Sequence, residues 1–147
     1  WLDPATRVER AATALRPRGV IAILAYTQVQ SERDRGFFER CFPVYRKYRP
    51  DEPETRGPDE DFTPGVVTEI EASGRFELAA VWRQRWDQRY STAQYADLLR
   101  SYSTTEAMPP GPREGLIADL CALIDEEFEG YVVRPLVATL VMARRRH

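Results

Sequence analysis

One stretch of the chain, residues 36–48 (GFFERCFPVYRKY), combines aromatic and basic side chains at spacings of three and four. Residues at these spacings share one face of a helix. Phe38, Phe42, Tyr45 and Tyr48 could therefore form an apolar wall for a small-molecule substrate. The same spacing also fits a helix that packs its aromatic face onto the rest of the domain, and the sequence leaves both interpretations open.

Basic side chains close the same stretch, at Arg46, Lys47 and Arg49. Such a cluster could attract an anionic substrate. Clusters of this kind also occur on helix faces that point into solvent, so the pattern does not separate a binding role from a solvated surface.

The sequence contains few residues that could carry out nucleophilic or metal-dependent catalysis. The chain has one histidine, His147, and two cysteines, Cys41 and Cys121. No Ser-His-Asp, Cys-His or metal-ligand set can be assembled from these residues, and there is no G-x-S-x-G motif of an α/β hydrolase. We therefore expect no metal site, leave the catalytic residue unassigned, and expect free thiols in a cytoplasmic protein.

The overall composition is that of a globular protein. A length of 147 residues predicts one domain, and a net charge of −2 argues against a nucleic-acid partner. No apolar run approaches the ~20 residues that a membrane-spanning helix needs. The composition therefore predicts no nucleic-acid partner and no membrane partner.

Residues 20–26 (VIAILAY) form the apolar segment around which we expect the chain to pack. A short apolar run that follows a glycine and contains branched side chains favours a strand over a buried helix. Because a half-exposed strand would alternate polar and apolar residues, this run predicts a strand covered on both faces, as in a sheet between two helix layers.

The remaining segments alternate between helix and strand patterns. Helices are predicted over residues 3–15, 36–48, 63–73, 91–99 and 113–128, and strands over residues 76–82 (extended through 83–90) and 136–143. The helix over residues 36–48 should be interrupted or kinked at Pro43. Residues 49–64 predict an exposed loop, and residues 144–146 predict a solvated tail. Because Pro135 cannot donate a ladder hydrogen bond, strand pairing should begin after it or leave it facing an unpaired side. This alternation predicts an α/β fold.

Several of these segments together resemble class I S-adenosylmethionine-dependent methyltransferases. The motifs that carry the resemblance are WLDP, the helix ending ALRPRG, the strand VIAILAY, the segment YSTAQYADLLRSYS and the final ARRR. They follow one another over nearly the whole chain, but match only the C-terminal half of the family domain. The resemblance implies that residues 1–147 form a single partial methyltransferase domain, a fragment of a longer protein, in which residues 29–64 are a lid insertion.

The resemblance also implies a fold and a function. The fold is the C-terminal part of a Rossmann-like three-layer sheet with the order 3-2-1-4-5-7-6, whose strands five, six and seven correspond to residues 20–26, 76–82 and 136–143. Strand seven runs antiparallel. The implied function is transfer of a methyl group from S-adenosylmethionine to a small-molecule acceptor, and this chain would supply the acceptor-side half.

Ligands of open α/β sheets bind at the carboxyl ends of the strands. In the family, the strand before WLDP is strand four. The resemblance therefore assigns the segment that follows strand four to the binding of the cofactor. It assigns the end of strand five and the lid to the binding of the acceptor. The cofactor-binding residues are then Trp1, Leu2 and Asp3, and the substrate-binding residues are Tyr26, Thr27, Phe38, Phe42 and Tyr45.

The chain departs from the family in one important respect. It contains neither the G-x-G-x-G loop nor the acidic residue that hold the cofactor. We therefore expect that the chain alone does not bind the cofactor, and that a missing N-terminal half or a second chain covers the bare edge of strand 20–26. The alternative is a non-catalytic α/β binding or dimerisation domain.

Overall fold

The computed structural model describes Asp3 and residues 6–51 and 56–146, which form a mixed α/β fold. The helices are α1 (Arg7–Ala14), α2 (Phe37–Tyr48), α3 (Gly65–Ser73), α4 (Thr92–Ser101), α5 (Ser103–Glu106) and α6 (Pro110–Glu127). The strands are β1 (Val20–Gln28), β2 (Phe76–Ser91) and β3 (Tyr131–Arg145), and a 3-10 turn, Glu32–Asp34, precedes α2. The alternating sequence pattern therefore predicted the fold class correctly.

The three strands form one sheet in the order β1-β3-β2. The Arg145 N–H donates to the Gly19 carbonyl at one end of β1, and the Val29 N–H donates to the Pro135 carbonyl at the other. This pairing makes β3 antiparallel to β1, and the hydrogen bonds at the two ends of β2 make β3 antiparallel to β2 as well. β1 and β2 therefore run in the same direction on either side of β3.

The described residues divide into two compact units. The first takes its residues from 1–27, 58–85 and 136–147 and contains α1, α3 and most of β1. Its core joins the two helices to the strands through Ala12, Val67, Ile70, Phe76, Val141 and Ala143. Arg7 of α1 also donates to Glu69 of α3, with Nε and Oε2 2.7 Å apart. An apolar cluster with an ion pair at its margin thus holds these helices together.

The second unit takes its residues from 28–57 and 86–135 and contains α2, α4, α5 and α6. Leu99 of α4 and Leu116, Leu120 and Ile124 of α6 are fully buried in its core. Phe37 of α2 completes this core, because its ring packs edge-on against three other aromatic rings at 5.2–5.3 Å between centroids. The core of this unit is therefore helical and partly aromatic.

Strand β1 forms where it was predicted, but the prediction that both of its faces are covered is wrong. Ile21 and Ile23 pack against the first unit's core, whereas Leu24 and Tyr26 are 72% and 69% exposed. In the described chain β1 lies at an edge of the sheet, and the apolar side chains of α1 and α3 pack on the side of Ile21 and Ile23. Successive side chains of a strand point to opposite faces, so burial alternates even though the sequence does not.

Several boundaries also differ from the predicted ones. Helix α1 begins at Arg7 instead of residue 3, and α6 begins at Pro110 instead of residue 113. Proline lacks only an N–H that the first turn of a helix would leave unpaired in any case. Strand β3 includes Pro135, whose carbonyl accepts from Val29 at 3.1 Å. The missing N–H of this proline falls where β1 has already ended, so a central strand tolerates it.

Residues 144–146 do not form the predicted tail, although Arg144 and Arg146 are exposed to solvent as expected. Strand β3 continues to Arg145, and the Arg146 N–H donates to the Arg75 carbonyl at 2.8 Å. The Arg145 guanidinium donates to the Leu15 carbonyl, and the Arg146 Nε donates to the Phe76 carbonyl at 3.1 Å. Charged side chains do not prevent strand pairing, because the backbone groups still find partners.

Two further findings concern the helices. Helix α2 continues through Pro43, at which we expected an interruption or kink, although the proline removes one internal hydrogen bond. In the described part of the chain, no helix combines the length and the apolar character that crossing a bilayer requires.

Candidate functional site

The second unit contains a cavity of about 720 Å³. The residues after β1 and helix α2 form one side of its wall, and residues of α4, β3 and the loop at Gly57 complete it. A volume of this order is typical of a site for a small organic molecule. We refer to this cavity as the α2 pocket.

Helix α2 divides its aromatic residues between the core and the α2 pocket. Phe37 is fully buried in the core, whereas Phe38, Phe42 and Tyr45 line the pocket. The structure thus brings together three of the four residues that the helical spacing placed on one face. The fourth, Tyr48, is not part of the pocket lining, and its hydroxyl donates to Asp119 Oδ2 at 2.8 Å. Their role as substrate contacts stays a prediction.

Arg134 of β3 contributes a positive charge to the wall of the pocket. Its Nε donates to Gln28 Oε1 at 2.8 Å, and its Nη1 donates to the Tyr102 hydroxyl at 2.6 Å. Both partners are neutral. Within the described ranges no carboxylate pairs with this guanidinium, so the structure fixes its orientation without neutralising its charge.

Tyrosine hydroxyls lie around the same part of the pocket. Burial raises the pKa of Tyr45 to about 12, and this effect outweighs the smaller lowering by its hydrogen bond to Tyr95. Burial also raises the pKa of Tyr95. Both phenols therefore keep their protons at neutral pH. Arg49 lies with its guanidinium carbon 5.9 Å from the Tyr45 ring centroid, and donates to the Thr105 hydroxyl at 3.1 Å.

Acidic residues line the pocket near the start of α2. The Asp34 carboxylate accepts the Gly36 N–H at 2.8 Å, and Glu39 pairs with Arg56 at 3.5 Å. Burial raises the pKa of Asp34 more than the hydrogen bond from Gly36 lowers it. Asp34 is therefore a better proton acceptor than an ordinary surface carboxylate.

Neither cysteine is suited to nucleophilic chemistry. Both thiols are free, and Cys41 is fully buried. Burial raises the pKa of the Cys41 thiol far above its ordinary value, and burial also raises the pKa of Cys121. Among the residues with described positions, no group of three or more His, Cys, Asp or Glu side chains could hold a metal ion.

The other predicted site residues lie elsewhere or outside the description. Trp1 and Leu2 are not among the described residues. The Asp3 carboxylate accepts from the Thr6 hydroxyl at 3.0 Å, a contact within the first unit. Tyr26 and Thr27 belong to the first unit and are not part of the pocket lining, which begins at the next residue, Gln28.

The sequence analysis missed Arg134 and Tyr95 as lining residues. Arg134 had a usable signal, because it is the one charged residue of the run YVVRPLVATLV. A charge within an otherwise apolar strand needs a specific partner or a function. Tyr95 had no comparable signal, since an aromatic residue on a helix is usually part of the core.

Comparison with known proteins adds little to this description. No protein-family model and no curated protein sequence matches the chain. Among solved structures, a candidate methyltransferase from Bacillus halodurans C-125 aligns with 98% of this chain at a TM-score of 0.46 and 13% sequence identity. The chain spans 58% of the length of that protein. A similarity this low does not establish a function.

Proposed function

We propose that this chain forms the acceptor-side half of an S-adenosylmethionine-dependent methyltransferase that acts on a small molecule. The strand order carries this proposal. The resemblance in the sequence implies strands five, seven and six side by side, with the seventh antiparallel. β1, β3 and β2 have that order, with β3 antiparallel to both neighbours. An antiparallel strand inserted between two strands of common direction is a specific feature of a sheet in an alternating α/β chain.

The position of the α2 pocket supports a small-molecule acceptor. Its lining begins at Gln28, the last residue of β1. Ligands of open α/β sheets bind at this carboxyl end. Helix α2, within the segment that the resemblance identifies as a lid, adds the aromatic wall. In the proposed function, Phe38 and Phe42 hold the body of the acceptor, and the polar groups around Arg134 orient it.

The described residues do not form a cofactor site. Of the three residues that the resemblance assigns to the cofactor, only Asp3 is described, and its carboxylate is engaged with Thr6. The 147 residues contain no G-x-G-x-G loop. In our proposal the cofactor contacts therefore come from an N-terminal half, which also covers the edge of β1. This chain contributes the positioning of the acceptor, which can account for much of the rate of a group transfer.

Equilibrium binding of radiolabelled S-adenosylmethionine tests the proposal. The chain alone should not bind the cofactor, whereas a protein extended upstream of residue 1 to include the N-terminal half should bind it saturably. The extended protein should then transfer label to a small-molecule acceptor. Absence of cofactor binding by the extended, folded protein would refute the proposal.

A non-catalytic dimerisation domain is the second candidate, and one observation favours it. β1 is an edge strand of the described sheet and carries Leu24 and Tyr26 exposed to solvent. Such an edge can pair with a second copy of the chain. Light scattering separates the two functions, because a concentration-independent dimer together with an extended protein that binds no cofactor would favour the dimerisation domain.

A further inference from the structure

Arg134 is a cation in the wall of the α2 pocket, and no carboxylate among the described residues pairs with it. Its two hydrogen-bond partners, Gln28 and Tyr102, orient the guanidinium through neutral oxygens. The residue is only partly exposed to solvent. A desolvated charge without an opposite charge is unfavourable, so a ligand that brings a negative charge to this position gains more than a neutral ligand does. The guanidinium also suits a carboxylate geometrically, because its planar donors match two carboxylate oxygens.

The groups around Arg134 reinforce this preference. The phenols of Tyr45 and Tyr95 stay protonated at neutral pH, and because one of their two protons is used in the hydrogen bond between them, the other is left to donate to an anion. Arg49, the residue that follows α2, lies with its guanidinium carbon 5.9 Å from the Tyr45 ring centroid. This end of the pocket therefore favours a negatively charged ligand group.

The described lining of the pocket also contains three carboxylates. Glu32 and Asp34 precede α2, and Glu39 lies in its first turn. Glu39 already pairs with Arg56, and Asp34 accepts the Gly36 N–H. Arg46 and Arg49, by contrast, lie at the last turn of α2. The acidic lining residues are thus separated in sequence from Arg46 and Arg49, with Phe42 between them.

We propose that the α2 pocket binds a small organic acid, whose carboxylate pairs with the Arg134 guanidinium and whose ring or hydrocarbon body packs against Phe38 and Phe42. As a statement about the methyl acceptor, this inference rests on the function proposed above. As a statement about binding, it concerns this chain alone and needs no cofactor.

A matched pair of ligands tests the charge requirement directly. 2-Naphthoate and 2-naphthamide share a two-ring body that fits a cavity of about 720 Å³, and differ in charge. Isothermal titration of the chain should give a dissociation constant at least about tenfold lower for the acid than for the amide, because hydrogen bonds to charged groups are the stronger ones. Equal binding of the two ligands, or no saturable binding of the acid at millimolar concentration, would overturn the proposal.

Variants locate the charge that causes the preference. Arg134→Gln should remove the preference for the acid and leave the binding of the amide nearly unchanged. Tyr102→Phe, which removes one of the groups that orient Arg134, should reduce the preference by less. Arg40→Gln is the matched control, because Arg40 lies on α2 but pairs with Glu127 and is not part of the pocket lining. Circular dichroism of each variant verifies that it is folded.

These outcomes are independent of the test of methyl transfer. An acid preference that persists in Arg134→Gln, or that disappears in Arg40→Gln, would contradict the assignment of the carboxylate to Arg134. Failure of cofactor binding by the extended protein would refute the proposed activity but leave the titration of the chain unaffected. Conversely, if the chain does not prefer the acid in the titration, the proposal about the α2 pocket is refuted, but the test of cofactor binding by the extended protein is unaffected.

Discussion

In strand β1, Leu24 and Tyr26 are 72% and 69% exposed, whereas in helix α2 Phe37 and Cys41 are fully buried. Both segments are rich in apolar residues, and both were expected to be important for packing. Helix α2 lies against α6, and its polar edge is fixed there by contacts of Lys47 and Tyr48 with Asp119. The apolar residues of β1, by contrast, have described partners on one face of the strand.

The difference shows that an apolar segment is buried only as far as its neighbours provide surface for it. Helix α2 belongs to a unit whose other helices supply that surface. The exposed side chains of β1 contribute little to stability as the chain stands, and they are where a further layer of protein would add stability. Four sets of substitutions test this difference between β1 and α2.

The largest effect should come from Phe37→Ala. Phe37 is fully buried among three aromatic rings, so the substitution should lower the free energy of unfolding by about 3–5 kcal/mol. Urea denaturation followed by circular dichroism measures this change. Phe38→Ala is the matched control. Phe38 is the next residue and lines the pocket, so this substitution should lower the free energy of unfolding clearly less than Phe37→Ala does. Equal costs would mean that α2 does not divide its residues between core and pocket.

Ile23→Ala and Leu24→Ala form a second pair, on adjacent residues of β1. Ile23 packs against the first unit's core, so its truncation should lower the free energy of unfolding by about 2 kcal/mol. Leu24 is 72% exposed, and its truncation should change the free energy of unfolding by less than about 0.5 kcal/mol. The same urea titrations measure both values. A large cost at Leu24 would show that the outer face of β1 is covered in solution.

A smaller change in the free energy of unfolding is expected for a substitution at the contact between α2 and α6. A Cβ atom at Gly115 would lie 2.8 Å from Tyr48 Cε1 and 2.9 Å from its hydroxyl oxygen. Overpacking should outweigh the gain in helix propensity, which leaves Gly115→Ala less stable by about 1 kcal/mol. At Gly111 of the same helix nothing lies within 4 Å, so Gly111→Ala should be neutral or stabilising. A stabilising Gly115→Ala would show that the two helices pack less closely than described.

The smallest effect should come from Asp119→Asn at the polar edge of α2. Hydrogen bonds from Lys47 and then Tyr48 lower the pKa of the Asp119 carboxyl, so its contribution to stability is present at neutral pH and is lost as the pH falls through that lowered pKa. The groups are exposed, so the variant should lower Tm at pH 7 by no more than about 2 °C. Thermal melts at pH 7 and near pH 2 measure the difference, which should disappear in acid. A difference that grows in acid would contradict this account.

Most of the element order could be read from the sequence. The helices over α2, α4 and α6 and the three strands form near the predicted positions, since helical spacing, turn residues and prolines act over a few residues. The burial of β1 could not be predicted from the sequence. A run of apolar residues indicates that both faces of a strand can be covered, but not that other segments of the chain pack on both faces. The arginines at the end of β3 were wrongly assigned to an unpaired tail for a related reason, since side-chain polarity does not reveal backbone pairing.

Local sequence patterns were enough to predict most helices and strands and the shared helix face of Phe38, Phe42 and Tyr45, because these properties depend on neighbours within a few turns of the chain. The tertiary fold places Arg134 beside Gln28, 106 residues earlier, and brings both into the lining of one pocket with α2. Contacts over such a separation depend on how the strands order themselves in the sheet, and no local pattern specifies that order.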